Sequence, residues 1–268
     1  MKKMEHYNIV ENICDNFNSG SQNVKLYMVF DHQAISNLYK TYNGPVEFLY
    51  IPQLEEIKDA IDEGAIYLGA FVDGKLAGVE KLAELQLPYP FFIPPKNCDP
   101  KKCYWGLSGL YVNPEYRGKH ISSMLLDAGL KIPKECGGVG VYADFDYRNI
   151  LSMRVISKRM DFIGYVDGRQ GSPDEATIYT TFYKCLDDNC KNRTSFNIDI
   201  NKFDCDFVSN QLEESMNKIG SYSVDTVPYC GGYNKVVRFD EPYKFDETYV
   251  NISNELFTNL MKDKENSK

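Results

Sequence analysis

The order of hydrophobic and polar positions along the chain predicts a mixed α and β protein. Its clearest signal is a pair of apolar runs on either side of Asp73-Gly74, because Asp-Gly between such runs is typical of a β-hairpin. The predicted helices cover residues 1–22, 32–42, 54–62, 121–132, 150–159, 207–219 and 248–261. The predicted strands cover residues 24–30, 46–51, 66–72, 75–85, 104–112, 139–145, 162–166, 176–186, 222–227 and 235–239.

Two of these elements have a regular internal period. The apolar residues of the helix over 121–132 fall on one face, and Pro133 is expected to end the helix. In the strand over 139–145 successive residues point to opposite faces, and Tyr142 and Asp144 are expected to point outward.

Residues 86–102 interrupt the pattern with a segment rich in proline and aromatic residues, including Tyr89 and Phe91. Because proline cannot donate the hydrogen bonds of a strand ladder, the segment is predicted to be a loop or an edge segment. A connection of this length inside a compact domain is often a lid or a binding loop. A loop whose aromatic residues only pack on the domain is the alternative, and the sequence leaves both open.

The charge balance narrows the class of partner. The 268 residues carry 30 Lys and Arg against 38 Asp and Glu, a formal net charge of −8. A nucleic-acid-binding protein normally presents a basic face to phosphates, so we expect no nucleic-acid partner. An acidic surface suits a cationic or amine-bearing partner, or only keeps the protein soluble. No signal peptide is recognised, and no stretch approaches the roughly 18 apolar residues of a transmembrane helix, so we expect a cytoplasmic protein without membrane contact.

The cysteine and histidine residues show no metal-site pattern. None of the eight cysteines forms Cys-x-x-Cys, and the chain has only three histidines. A zinc site needs about four convergent ligands at short spacings, so no metal is expected. We expect the cysteines to be reduced and mostly buried, as in a cytoplasmic protein.

Residues 110–122, Leu-Tyr-Val-Asn-Pro-Glu-Tyr-Arg-Gly-Lys-His-Ile-Ser, are the most informative stretch of the chain. They are predicted to form the end of a strand, a short loop and the start of an amphipathic helix. The backbone N–H groups of such a loop and the positive end of the helix together form a cradle for phosphate. Arg117 and Lys119 add positive charge. The segment therefore predicts a phosphate-bearing cofactor, although it has neither Gly-x-Gly-x-x-Gly nor the Gly-Lys-Ser/Thr of a nucleotide P-loop.

The same stretch resembles motif A of the GNAT superfamily of N-acetyltransferases, typically Leu-x-Val-x-Pro-x-Tyr-Arg-Gly-Lys-Gly-Ile-Gly. The chain departs from this motif at His120 and Ser122, where the family has small residues. Residues 149–162 resemble motif B, Asn-x-x-Ala-x-x-Leu-Tyr-Glu-Lys-x-Gly-Phe, with one additional residue before Phe162. The matching residues are Leu110, Val112, Pro114, Tyr116, Arg117, Gly118, Lys119 and Ile121 in motif A, and Asn149, Ser152, Val155, Lys158 and Phe162 in motif B.

The resemblance covers residues 23–188 and implies a GNAT fold, in the α/β (α+β) class. This fold has a mixed, mostly antiparallel sheet with helices on both faces, and the sheet is splayed between its fourth and fifth strands. Residues 1–22 would form an N-terminal helical segment, and residues 191–268 a small C-terminal α+β extension. Whether that extension is a substrate lid, the interface of a homodimer or a separate small domain is left open by the sequence.

In this family acetyl-CoA lies in the splay, so the resemblance implies acetyl-CoA as co-substrate. The main chain of the fourth strand would pair with pantetheine, the loop would hold the pyrophosphate, and Asn149 would bond the pantetheine arm. The implied cofactor-binding residues are Leu110, Tyr111, Val112, Arg117, Gly118, Lys119, His120, Ile121, Ser122 and Asn149. Gly106 and Gly109 suit a β-bulge that helps to open the sheet, or they only accommodate packing.

The catalytic groups of the family are incomplete in this sequence. Ile156 stands where motif B usually has a proton-donating tyrosine, and the fourth strand carries no carboxylate. Asp144 is the remaining candidate for the base, unless it is only solvated or paired with Arg148. Tyr147 is a candidate proton donor, with Tyr142, Tyr165 or water as alternatives that the spacing does not separate. The candidates for contact with a cationic substrate are Glu80, Glu84, Tyr89 and Phe91.

We therefore expect an N-acetyltransferase that transfers an acetyl group from acetyl-CoA to a primary amine of a small cationic molecule or a peptide. A non-catalytic GNAT-fold module that senses CoA or binds a partner is one alternative, which His120 and Ile156 favour. An N-acyltransferase that uses a longer acyl-CoA, with residues 86–102 covering the acyl chain, is the other.

Overall fold

The structure is a computed structural model of the 268-residue chain. It describes residues 2–20, 23–44, 48–85, 101–146, 149, 152, 155–156, 158–167, 178–186, 194–196, 222–229 and 232–245. The helices are α1 (Lys2–Gly20), α2 (His32–Tyr39), α3 (Leu54–Glu63) and α4 (Ile121–Glu135), with a 3₁₀ turn at Pro114–Tyr116. The strands are β1 (Lys25–Met28), β2 (Ile66–Val72), β3 (Lys75–Leu85), β4 (Tyr104–Val112), β5 (Gly140–Asp146), β6 (Asp161–Asp167), β7 (Ile178–Cys185), β8 (Thr194–Phe196), β9 (Tyr222–Tyr229) and β10 (Gly232–Phe245).

The chain divides into two compact units. The first contains Met1–Gln86, Lys102–Tyr142 and Cys185–Asp188. The second contains the rest of the chain, in the ranges Leu87–Lys101, Ala143–Lys184 and Asn189–Lys268. The strand β5 therefore begins in the first unit and ends in the second.

The sheet of the first unit has the order β1-β2-β3-β4-β5. The pairs β1–β2, β2–β3 and β3–β4 are antiparallel, whereas β4–β5 is parallel. The β4–β5 ladder joins three residues of each strand, from Tyr104↔Gly140 to Gly106↔Tyr142. It ends there although β4 continues to Val112. A mixed, mostly antiparallel sheet whose fourth and fifth strands part in this way was predicted from the sequence, and this prediction is confirmed.

Helices cover both faces of this sheet. Successive residues of a strand point to opposite sides, so neighbouring residues of β3 contact different helices. On one side Val79 of β3 belongs to a buried cluster with residues of α2 and α3, among them Ile35, Tyr39 and Ile57. On the other side Gly78 lies against Ile121 of α4. Burying these apolar faces is the main favourable contribution to folding of the unit.

In the second unit, β6 pairs with β7 and with β10, both antiparallel, and β10 also pairs with β8 and β9. The end of β5 lies beside β7, where Thr180 Oγ1 donates a hydrogen bond of 3.1 Å to the carbonyl oxygen of Phe145. The Phe145 and Phe182 rings stack with centroids 5.2 Å apart. Through its pairing with β6, the strand β10 continues the sheet that β6 and β7 form. The predicted domain boundaries and the homodimer stay predictions.

Several elements predicted from the sequence are confirmed. The hairpin forms β2 and β3 around Asp73 and Gly74, and β4 has its predicted bounds. The helix α3 ends at Gly64 as predicted, in the left-handed conformation that glycine adopts readily (φ 105°). The predicted helices over 207–219 and 248–261, most of that over 150–159, and the segment 86–100 lie outside the described residues.

Three local predictions are wrong. Residues 48–51 contain no strand. Pro133 lies inside α4 and does not end it, because it falls in the last turn, where Cys136 N–H still reaches the carbonyl oxygen of Ile132 at 3.0 Å. Tyr142 is fully buried, since both faces of its strand are covered at that position.

The described cysteines also differ in part from expectation. Cys14 is buried, and Cys103 and Cys136 are half-buried; all three are free thiols. The expectation of reduced cysteines is wrong for Cys185, which is disulfide-bonded. In the described part of the chain no helix combines the length and apolar character needed to cross a membrane.

The turn after α4 gives a test of packing in the first unit. A methyl group on Gly138 would lie 2.7 Å from Trp105 Cδ1 and 2.8 Å from the carbonyl oxygen of Pro133, and Trp105 is only 1% exposed. We expect Gly138→Ala to lower the free energy of unfolding by about 1–3 kcal/mol, because neither neighbour can yield easily. Urea unfolding followed by circular dichroism measures this change.

Gly20→Ala is the matched control, since Gly20 ends α1 with no atom within 4 Å of its would-be methyl group. It should be neutral or stabilise by less than about 1 kcal/mol. Equal unfolding midpoints for the two variants would contradict the close packing of Trp105 on Gly138.

Candidate functional site

The strand β4 carries a β-bulge near its C-terminal end. Val79 of β3 pairs with Tyr111 and Lys81 pairs with Ser108, so Gly109 and Leu110 together face the single residue Glu80. Gly109 has φ 61°, a backbone conformation that residues other than glycine rarely adopt. Of the two alternatives that the sequence left open for these glycines, Gly109 forms the bulge, whereas Gly106 pairs regularly with Ala83 and lies against Leu85.

The helix α2 and the residues after it hold this part of β4. Tyr39 Oη donates a hydrogen bond of 2.7 Å to the carbonyl oxygen of Gly109. Thr41 Oγ1 and Tyr111 Oη lie 2.9 Å apart and share a second hydrogen bond. Neither Tyr39 nor Thr41 was predicted from the sequence as a site residue, because a tyrosine on an apolar helix face is not distinguishable from an ordinary core residue.

The chain leaves β4 through a short, well-ordered turn. Asn113 N–H donates to the carbonyl oxygen of Ala77 at 2.9 Å, which ties the end of β4 to β3. Asn113 Oδ1 accepts a hydrogen bond of 3.0 Å from Glu115 N–H and so begins the 3₁₀ turn Pro114–Tyr116. The direction of the following loop is therefore fixed by hydrogen bonds at its start.

The loop before α4 has the geometry of an anion cradle. Gly118 and His120 both have positive φ, 79° and 58°, and His120 is the residue that precedes the first turn of the helix. Its side chain makes no capping hydrogen bond and the first turn holds no acidic residue, so no group of α4 itself neutralises the first N–H donors. Arg117 and Lys119 are exposed beside it, and Lys119 Nζ lies 5.8 Å from the centre of the Tyr116 ring.

The cradle is open to solvent, and the helix behind it is anchored to the sheet. The residues from Arg117 to His120 are all exposed, while Ile121 is buried against Gly78 and anchors the helix to the sheet. Tyr111 is also buried, so only its main chain is available to a ligand along β4.

The two glutamates predicted to contact substrate lie in different surroundings. Glu80 is 1% exposed, and its carboxylate lies directly against Gly129 of α4. Glu84 is exposed, with its Oε1 3.9 Å from His6 Nδ1. Glu84 is therefore the one of the two that faces solvent. Tyr89 and Phe91 lie outside the described residues.

The second unit contains the candidate base and the motif B asparagine. Asp144 is half-buried. Burial raises its pKa to about 6 and outweighs a hydrogen bond from its own backbone N–H, which lowers the pKa. Asn149 is buried; its N–H donates to the carbonyl oxygen of Asp146 at 2.8 Å, and its Oδ1 accepts from Ser152 N–H at 3.2 Å. Asn149 thus caps the helical turn that follows it.

Ile156 is buried at 5% exposure and offers no proton donor. Tyr147, the candidate donor, lies outside the described residues. Among the residues that the structure describes, no group of three or more His, Cys, Asp or Glu side chains could hold a metal ion.

Known protein families and solved structures include proteins that are similar to this chain. The sequence model described as Acetyltransferase (GNAT) family matches residues 32–162, which include the bulged strand, the anion cradle and Asn149. No curated protein matches the chain.

Similar solved structures include an N-acetyltransferase from Staphylococcus aureus Mu50, with 18% identity, 62% of this chain and 100% of that chain covered, and a TM-score of 0.49. The yncA putative acetyltransferase from Salmonella typhimurium with its cofactor acetyl-CoA has 16% identity, covers 64% and 98%, and has a TM-score of 0.46. The NAA60 protein of Arabidopsis thaliana in complex with a bisubstrate analogue has 14% identity, covers 60% and 97%, and has a TM-score of 0.49. With the mixed sheet and its parallel β4–β5 pair, the family match identifies residues 32–162 as a domain of the GNAT acetyltransferase family.

Proposed function

We propose that this protein is a cytoplasmic N-acetyltransferase that transfers an acetyl group from acetyl-CoA to a primary amine of a small cationic molecule or a peptide. The observation that carries the proposal is the cradle from Arg117 to Ser122, which follows a bulged strand in a domain of the GNAT family. The net charge of −8 suits a cationic acceptor.

Candidate cofactor contacts come from the loop before α4, from the main chain of β4 and from Asn149. The exposed side chains of Arg117 and Lys119, with the first N–H groups of α4, would bind the pyrophosphate. The main chain of Leu110, Tyr111 and Val112 would pair with pantetheine. Asn149 would bond the pantetheine arm.

Three groups are needed for the transfer. The amine nitrogen attacks the thioester carbonyl carbon, so a C–N bond forms while the C–S bond breaks, and the proton of the amine must go to a base. Asp144 would accept it, because a carboxyl group with a pKa near 6 is ionised at neutral pH yet remains basic enough to take a proton. Backbone N–H groups would stabilise the oxyanion, and Tyr147 or water would protonate the departing thiolate.

One observation favours a second candidate function, a module that binds CoA without catalysis. The position at which the family usually has a proton-donating tyrosine is Ile156, which is buried and has no group that could donate a proton. Such a module would bind acetyl-CoA but would not release CoA with any amine. Following CoA release in the presence of a panel of cationic amines and peptides separates the two functions.

Arg117→Ala combined with Gly118→Pro tests the cofactor site. Gly118 has φ 79°, and because proline fixes φ near −65° the change would reshape the cradle while removing one charge. Gly118 is exposed on a loop outside the core, so the strain of the proline should stay local and the fold should survive. We expect titration calorimetry to detect micromolar binding of acetyl-CoA to the wild-type protein and none to the variant.

Lys131→Ala is the control, since Lys131 is an exposed cation further along α4. It should bind acetyl-CoA like the wild type. Undiminished binding by the double variant, with an unchanged circular dichroism spectrum, would overturn the assignment of the cradle.

His120→Gly tests the departure from the family motif. A side chain in the left-handed region costs about 1–2 kcal/mol, while glycine loses about 0.5–1 kcal/mol of unfolded-state entropy, so stability should rise slightly or stay unchanged. Acetyl-CoA binding should tighten about three- to tenfold, because the backbone can then approach the pyrophosphate more closely.

Asp73→Gly is the matched control, because Asp73 is the other described residue with positive φ that is not glycine. It should change stability in the same way and leave acetyl-CoA affinity unchanged. Calorimetry and urea unfolding measure both quantities, and equal affinities for His120→Gly and the wild type would show that His120 does not obstruct the cofactor.

The raised pKa of Asp144 predicts a pH dependence with a definite sign. Burial favours the protonated carboxyl group of Asp144 in the folded protein. This preference adds to the free energy of unfolding at pH 4, and the contribution is lost as the pH rises through about 6. The acetyl-transfer rate should rise over the same range, as the carboxylate becomes available as a base.

Asp144→Asn should lose both dependences: it should unfold at higher denaturant than the wild type at pH 7.5, and transfer should be about 10²–10⁴-fold slower. Asp59→Asn, at an exposed position of α3, should leave both profiles unchanged. A wild-type rate that is flat between pH 5 and 7 would count against Asp144 as the base.

A further inference from the structure

We propose that Tyr39 is a positioning residue of the acyl-CoA site, whose hydroxyl fixes the Gly109–Leu110 peptide and with it the direction of the Leu110 N–H group. The inference rests on the proposed function, in which the main chain of β4 holds the pantetheine arm. It assigns a role to a helix that precedes both family motifs and contributes no residue to them.

The contact between Tyr39 and the bulge is close and buried. Tyr39 Oη lies 2.7 Å from the carbonyl oxygen of Gly109, and Tyr39 is 1% exposed. A methyl group on Gly109 would collide with the same hydroxyl, so α2 and β4 approach too closely for any larger residue. The hydrogen bond therefore forms in a protected place, where water cannot readily replace either partner.

The hydrogen bond from Tyr39 holds the Gly109–Leu110 peptide, whose orientation is the one that pairing with β3 constrains least. In a bulge the additional residue is not paired with the neighbouring strand, and here Gly109 and Leu110 share Glu80 as their opposite residue. A trans peptide is planar, so its carbonyl and N–H groups point in opposite directions. With the carbonyl of Gly109 held by α2, the N–H of Leu110 must point away from α2.

The residue after Leu110 is held from the same side. The rings of Tyr39 and Tyr111 stack with centroids 6.2 Å apart, and Tyr111 Oη shares a hydrogen bond of 2.9 Å with Thr41 Oγ1. Leu110 thus lies between two residues that are both fixed by α2 and the turn after it.

The donor role of Tyr39 requires a protonated hydroxyl. Burial, assisted by the nearby Tyr67 and Glu80, raises the pKa of Tyr39 well above the ordinary value for tyrosine. The hydroxyl therefore keeps its proton at any pH at which the protein would be assayed.

The test compares two variants and two ligands. Tyr39→Phe removes the hydroxyl and keeps the ring, while Tyr67→Phe removes another buried hydroxyl from the same apolar cluster. The ligands are acetyl-CoA and adenosine 3′,5′-bisphosphate, which keeps the nucleotide of CoA and one phosphate of its pyrophosphate but has no pantetheine. Calorimetry should give about three- to tenfold weaker acetyl-CoA binding for Tyr39→Phe and unchanged binding of the bisphosphate, with both ligands unaffected in Tyr67→Phe.

The outcomes separate this inference from the proposed function. If the wild-type protein binds acetyl-CoA and Tyr39→Phe binds both ligands like the wild type, the positioning role is overturned and the proposed function stands. Equal weakening for both ligands in a Tyr39→Phe variant with an unchanged circular dichroism spectrum overturns it as well, because the effect is then not confined to the pantetheine arm. If the wild-type protein binds no acetyl-CoA, the proposed function fails and the inference fails with it.

A second pair of variants keeps the test decisive if Tyr39→Phe folds poorly. Tyr39→4-methylphenylalanine retains the size of tyrosine without a donor, and Tyr39→4-aminophenylalanine retains an N–H donor. We expect the amino variant to recover wild-type affinity for acetyl-CoA and the methyl variant to show the three- to tenfold loss. Equal affinities for this pair would overturn the role of the hydrogen bond.

Discussion

The first unit depends on one constraint, the left-handed backbone of Gly109 near the C-terminal end of β4. A strand with this conformation cannot keep a regular ladder with β3, so two of its residues face the single Glu80. The Tyr39 hydroxyl donates the hydrogen bond that the Gly109 carbonyl oxygen would otherwise lack. The room for this contact exists only because residue 109 has no side chain. The conformation of Gly109 thus determines three features together: the bulge, the position of α2 and the direction in which β4 leads to the loop.

Charge is distributed in a way that agrees with the proposed function. The chain as a whole carries −8, but the loop from Arg117 to His120 is exposed, and the first turn of α4 has no acidic residue. A polyanionic cofactor would meet positive charge at the loop, while a cationic acceptor would be attracted by the rest of the surface. Glu80 takes no direct part in such attraction, because it is buried against α4.

Local sequence signals accounted for much of the fold, and long-range packing accounted for what they missed. The Asp73-Gly74 turn, the bounds of β4 and the bulge at Gly109 follow from residue type and period, which act over a few neighbours. The burial of Tyr142 was not predictable, because a period of two does not reveal that both faces of a strand are covered. The role of Tyr39 was not predictable either, since nothing near it in sequence indicates a partner in β4.

Tyr39 and Gly109 are 70 residues apart in the chain, and this separation has a consequence for the order of folding. Contacts between distant residues form late, because the closure of a long loop costs entropy before the contact repays it. During synthesis α2 would leave the ribosome well before β4, and its apolar face would remain uncovered in the interval. The bulged form of β4 would then be acquired only when the nascent sheet docks on α2.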